Sequence, residues 1–118
     1  DLAKIDAVTN CRYGAGTVLV FAYDKEAAWK NEHEETVLCS GVQDETLFAP
    51  QVMLQATELG VATTWVMDLK YGALKESLGL PDQEEIVMIM PVGYAADDCQ
   101  PAPLHTMRKT LDEIVTYR

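Results

Sequence analysis

Two places in this 118-residue chain combine residue types that could do chemistry. Arg108 and Lys109 sit side by side near the C-terminal end of a chain that carries 9 basic against 19 acidic residues. A guanidinium fork beside an ammonium suits a phosphate dianion. Two plain surface cations would read the same way. His105, three positions earlier, could assist such a pair. The second place is ELGVATTWVMDLK at 58–70, which leaves a helix, turns at Gly60 and runs on as a strand. Thr63, Thr64 and Trp65 are ordinary strand residues, and a core Trp needs no ligand. The same row could also wall a flat aromatic ligand.

Other chemistries find little support. Cys11, Cys39 and Cys99 are odd in number and widely spaced, and no CxxC occurs. With His33 and His105 far apart, no metal centre is expected. His33 lies in the acidic stretch NEHEET, which reads as a solvated loop. No triad or dyad stands out, so no side chain is assigned as catalytic acid, base or nucleophile. Unpaired thiols suit a reducing cytoplasm, the expected location. A net charge of −10 argues against nucleic acid or an anionic membrane as partner, because both demand a basic face. No apolar run approaches the roughly 20 residues of a membrane span. The opening DLAKIDAVTN lacks the basic start and apolar stretch of a signal peptide. The length and the 48% apolar content fit one domain, residues 1–118, with a real core.

The elements that must position these residues follow from periodicity. DLAKIDAV puts Leu2, Ile5 and Val8 on one face, the end of a helix, and RYGAG is a turn. TVLVFAY (17–23) has the pattern of a strand buried on both faces. Asp24 is expected to cap a short helix, DKEAAWK. The longest helix is expected from Asp44, as its cap, to Leu59, with Phe48, Val52, Met53, Ala56 and Leu59 as its apolar stripe. Pro50 should kink it, or else mark its first turn. A strand over 61–67 follows, then a short helix YGALKESL turned inward through Leu74 and Leu78 and stopped by Gly79. EIVMIMPVGYA (85–95) reads as a central strand with Met88 and Met90 in the core, bending or meeting an edge at Pro91. A proline-bearing tail leads to LDEIVTY, with Leu111, Ile114 and Val115 as anchors.

Four segments together resemble the C-terminal part of the nitroreductase family of flavin enzymes. They are TVLVFAYDKEAAW, DETLFAPQVMLQATELGVATTWV, LKESLGLPDQEEIVMIMPVGYAAD and PAPLHTMRKTLDEIV. Their order matches the family, and they cover nearly the whole chain from about Tyr13. The resemblance implies an α+β fold with a central, mostly antiparallel sheet flanked by helices. It implies a homodimer with FMN at the subunit interface and the C-terminal tail reaching across to the other subunit. NAD(P)H would reduce the flavin, which would then reduce nitroaromatic, quinone or similar small-molecule acceptors. Trp65, Val66, Met67 and Asp68 align where family members contact the flavin ring, mostly through backbone groups. Arg108 and Lys109 align with a basic pair that helps hold the FMN phosphate.

The sequence also departs from the family pattern. Family members are longer, and an arginine-rich phosphate motif in their N-terminal part has no counterpart here; Arg12 stands alone. Asp1 opens the chain without Met in what reads as mid-helix, so the expectation is a domain whose N-terminal part is missing. The rival expectation is a flavin-free, non-enzymatic remnant of the fold that still forms dimers.

Overall fold

The computed structural model describes residues 2–31, 33 and 38–118. Most of the acidic stretch 31–36, expected as a loop, lies outside the described residues, as does Asp1. His33 is exposed, its amide donating to Asn31 Oδ1 at 3.0 Å.

The sheet is built around one strand. β3 (Glu84–Gly93) lies between β1 (Thr17–Asp24) and β2 (Ala62–Thr63), antiparallel to both. A central strand covered on both faces has no polar side, which is why 86–92 is an unbroken apolar run. Met88, Ile89 and Met90 are fully buried. The β1–β3 register shifts between Phe21 and Ala22, leaving Val87 as an extra residue in β3. The bulge explains why Val87 and Met88 share one face while Ile86 and Ile89 share the other.

One face carries α2 (Gly41–Glu58), packed through Ala49, Val52 and Met53 against Phe21, Val87, Met88 and Met90. The other carries α1 (Leu2–Asp6) and α3 (Tyr71–Leu78); their Ile5 and Leu74, with Val8 just past α1, are buried against Val66 and Ile89. The result is an α+β sandwich of helices around a small antiparallel sheet, as expected.

Several local expectations are corrected. α2 begins at Gly41, not Asp44. Ser40 takes the cap position, its carbonyl accepting the Asp44 amide at 2.8 Å and its hydroxyl donating to Asp44 Oδ2 at 2.6 Å. Asp44 sits in the first turn, where its charge favours the helix dipole. Pro50 lies inside the helix, nine residues past its start, so it does not open it. Within the expected stripe, Phe48 and Leu59 are exposed. DKEAAWK is not helical. Asp24 Oδ1 does accept the Glu26 and Ala27 amides, but the chain turns out again at Trp29 and Lys30, so the cap closes a turn only.

The strand expected over 61–67 is regular only at Ala62–Thr63 and touches β3 again through an isolated Val66–Ile89 bridge. Pro91 accounts for the gap. Its carbonyl accepts the Thr64 amide at 3.2 Å, so in antiparallel geometry its missing donor faces this same edge. α3 matches expectation closely: Gly79 ends it with φ of +66°, the left-handed geometry that Gly adopts without strain.

From Tyr94 onward every residue is exposed. The tail holds a 3₁₀ turn at Pro103–His105 and a single helical turn, α4 (Leu111–Ile114), fixed by a capping box between Thr110 and Glu113. The expected anchors Leu111, Ile114 and Val115 are therefore bare within their own chain. The radius of gyration, 17.1 Å, exceeds the roughly 13 Å of a compact 100-residue domain because this limb extends from the body.

Candidate functional site

The stretch Thr64–Lys70 forms the outer edge of the sheet, and its hydrogen bonds decide which groups it presents. The Thr64 and Val66 amides point inward, to the carbonyls of Pro91 (3.2 Å) and Ile89 (3.0 Å). The Val66 carbonyl also points inward and accepts the Ile89 amide at 3.0 Å. In a trans peptide the carbonyl and the next N–H point in opposite directions. Fixing the Val66 carbonyl inward therefore aims the Met67 amide outward.

The next peptide is fixed in the same way. The Met67 carbonyl accepts from the Leu69 amide at 3.1 Å and from the Tyr71 hydroxyl at 3.0 Å. The Asp68 amide is thereby turned away from both. Neither the Met67 nor the Asp68 amide donates to a described residue. Two consecutive free N–H groups on a bare edge are a ready recognition site for a planar ligand with acceptors along one side.

The four expected ring-contacting residues divide by direction. Trp65 is half-buried and packs against the apolar cluster on the α2 face. Its side chain is therefore core. Val66 is buried on the opposite face with Leu74 and Ile89, and both its backbone groups are committed to Ile89. Met67 and Asp68 are exposed and carry the free amides.

A hollow of about 520 Å³ opens at the Thr64 end of the edge, lined among others by Arg12, Tyr13, Pro91, Tyr94 and Cys99. Arg12 brings no spare charge to it. Its guanidinium forms two hydrogen bonds to Asp6, at 2.6 and 2.8 Å, and donates to the Ala15 carbonyl at 2.7 Å. The Arg12 hydrogen bond holds the Asp6 carboxyl below its ordinary pKa. Tyr13 beside it adopts φ of +54°, and its phenol is pushed up, chiefly by Cys11.

Arg108 and Lys109 are not brought to this edge within the chain. Arg108 donates to the carbonyls of Met107 (2.7 Å) and Leu104 (3.5 Å), inside its own turn. Neither cation has an acidic partner among the described residues. Sequence reasoning missed the groups that hold the edge, Tyr71 and Thr9. Both are single hydroxyls whose partners lie in other elements, and no spacing pattern marks them. No cluster of metal-ligating side chains occurs among the described residues.

A small antiparallel sheet between helices, with an exposed edge at 64–68 and an exposed tail that carries the basic pair, defines the class of fold; the relatives define the family. The nitroreductase family model matches residues 3–94, and the chain belongs to that family. Among solved structures, a nitroreductase family protein from Clostridium difficile 630 is 29% identical with a TM-score of 0.82, over 98% of this chain and 66% of that one. A nitroreductase family protein from Clostridium novyi NT is 23% identical with a TM-score of 0.59, over 70% of this chain and 44% of that one. A mutant of an FMN- and NADPH-dependent nitroreductase from sphigopyxis sp. strain HMH shares the fold at 20% identity, with a TM-score of 0.64, over 90% of this chain and 45% of that one. This chain thus spans under two thirds of the length of each. No curated protein matches it.

Proposed function

We propose that the chain, taken as one nitroreductase-like domain, is the flavin-holding part of an FMN-dependent oxidoreductase. It would use NAD(P)H to reduce nitroaromatic, quinone-like or similar small molecules. The observation that carries this reading is the pair of consecutive unpaired amides at Met67 and Asp68 on an exposed sheet edge, held outward by the fixed Val66 and Met67 carbonyls. Relatives support it: one is an oxidoreductase containing FMN and another depends on FMN and NADPH.

FMN, when bound, supplies the redox chemistry, accepting a hydride from the reduced nicotinamide and passing electrons to the acceptor. The protein's part is to bind and orient. Met67 and Asp68 would donate their amides to acceptor atoms of the flavin ring, where fixed dipoles tune its electronics. Val66 would act through its carbonyl, which aims the Met67 amide. Trp65 would stiffen the strand from the core side. Arg108 and Lys109 would hold the phosphate, a dianion suited to a guanidinium fork and an ammonium.

The basic pair is far along a limb with no core of its own, so the site is read as shared between two chains in a homodimer. The bare Leu111, Ile114 and Val115 support this. So does an apolar groove on α2 lined by Phe48, Val52, Leu59, Val61 and Val92. A cytoplasmic setting belongs to the same proposal and rests on the free thiols of Cys11, Cys39 and Cys99. No described helix is long and apolar enough to cross a membrane.

The test is flavin uptake. The purified chain is expected to turn yellow with FMN and to melt higher in its presence. The rival reading is a flavin-free, non-enzymatic remnant of the fold that still forms dimers. A colourless chain whose melting temperature ignores FMN, also at full length, would favour that rival.

A further inference from the structure

Thr9 is the one polar residue among the described residues that is buried, at 9% exposure. It lies in the loop after α1. Its Oγ donates to the Asp68 carbonyl at 2.7 Å, across 59 residues of sequence, and accepts the Cys11 amide at 3.1 Å. Beside it the Val8 carbonyl accepts the Lys70 amide at 3.1 Å. The loop is thus stitched to the far end of the sheet edge.

Tyr71 supplies the second stitch. It is the first residue of α3, and its hydroxyl lies 3.0 Å from the Met67 carbonyl and 3.3 Å from the Val87 carbonyl. Its single proton is shared between the two. Two hydroxyls from two different elements therefore grip two consecutive carbonyls, Met67 and Asp68. Without them this edge has no ladder, because regular β2 pairing ends at Thr63 and the last contact with β3 is at Val66.

We infer that Thr9 and Tyr71 are positioning residues that preorganise the Met67 and Asp68 amides for the flavin ring. The inference rests on the flavin reading above. Tyr71 acts on the Asp68 amide directly, since the carbonyl it holds belongs to the same peptide plane. Thr9 acts on the following plane and stops the Asp68–Leu69 peptide from rotating and dragging Asp68 with it. A preorganised donor pair spends no binding free energy on ordering itself, which is the physical gain from the two grips.

The experiment compares Thr9→Val, Thr9→Ser and Tyr71→Phe with the parent chain. Each is read for hydrogen exchange of the Val66 and Lys70 amides without ligand, and for FMN affinity by flavin fluorescence. Thr9→Val and Tyr71→Phe are each expected to speed exchange at Val66 or Lys70. Each should weaken FMN binding about three- to tenfold, the scale of one hydrogen bond. Thr9→Ser keeps the hydroxyl and should restore the parent affinity and the position of the bound flavin's visible band.

Faster exchange with unchanged FMN affinity would make the two grips merely structural and overturn the inference. Unchanged exchange would overturn it as well. A parent chain that takes up no FMN would overturn the flavin reading, and this inference with it, while the exchange data would still show whether the grips hold the edge. Should Thr9→Val fail to fold, Tyr71→Phe retains the ring and decides the matter by the same readouts.

Discussion

Ile89 and Ile114 are the same residue in opposite circumstances. Ile89 is fully buried at the centre of the sheet; Ile114 is 61% exposed on the last helical turn of the tail. The contrast holds for whole regions. The described residues up to Gly93 fold around two apolar clusters, one on each face of β3. Residues 94–118 hold Leu104, Met107, Leu111, Ile114 and Val115 out to solvent. The body owes its structure to burial. The tail owes its structure to local devices, the α4 capping box and proline-fixed backbone. Apolar side chains gathered on a segment with no core of its own mark a candidate interaction surface.

The sharpest break of this contrast is a pair of truncations. Leu74→Ala removes a fully buried side chain between α3 and the sheet and should cost about 2–5 kcal/mol. Ile114→Ala should stay within about 0.5 kcal/mol in dilute protein, as exposed substitutions do. Urea unfolding measures both. A comparable loss for Ile114→Ala in dilute monomer would mean the tail packs home, and the contrast would fail.

The basic pair sharpens the contrast in function. Arg108→Ala should weaken FMN binding by about 1.5–3 kcal/mol, the scale of a hydrogen bond to a charged group. It should leave the melting temperature of the ligand-free chain in place, since Arg108 bonds only within its own turn. Titration with FMN alongside thermal melts separates the two effects. Unchanged affinity would remove Arg108 from the site.

A smaller effect tests the turn that ends α3. Gly79 has φ of +66° and no atom within 4 Å of where a Cβ would stand. Gly79→Ala therefore adds backbone strain without a clash, about 1 kcal/mol by urea unfolding. A neutral result would show that the turn can leave the left-handed region.

The body was far more legible in the sequence than the site. β1, α3 and β3 follow from apolar runs and stop signals that act locally, such as Gly79 and the run through Met90. A regular strand over 61–67 is expected because Thr, Trp and Val favour one. What breaks it is Pro91, a residue on the neighbouring strand. DKEAAWK was read as a helix from its cap, although one cap cannot propagate a helix that buries no face. The aligned positions Trp65–Asp68 came from family resemblance. Only hydrogen bonding tells the inward Val66 from the outward Met67 and Asp68. Thr9 and Tyr71 left no signal, since a hydroxyl's partner 59 residues away has no spacing to detect.

The smallest expected effect contrasts one carboxylate from each region. Glu85 in β3 lies 3.3 Å from both Lys75 and Lys25, and hydrogen bonding to Lys75, then Lys25, lowers its pKa from 4.5. Glu113 in α4 is lowered from 4.5 by the backbone, then the side chain, of Thr110. Both have folded values below their unfolded ones. The stability each contributes is thus present above pH 4.5 and lost as pH falls through the lower, folded value. The difference lies in which equilibrium feels the loss. Lys25 just past β1 and Lys75 in α3 both meet Glu85 in β3, so protonating Glu85 weakens the cooperative body, by about 0.2–1 kcal/mol for exposed pairs of this kind. Glu113 caps one turn of a limb that the body does not need, so protonating it frays that turn and nothing else. Melting temperature followed from pH 7 to pH 3 should therefore fall less steeply below pH 4.5 in Glu85→Gln than in the parent, while Glu113→Gln follows the parent curve. If Glu113→Gln flattened the curve instead, α4 would be part of the cooperative body, and the division between a core-built domain and a coreless tail would have to be redrawn.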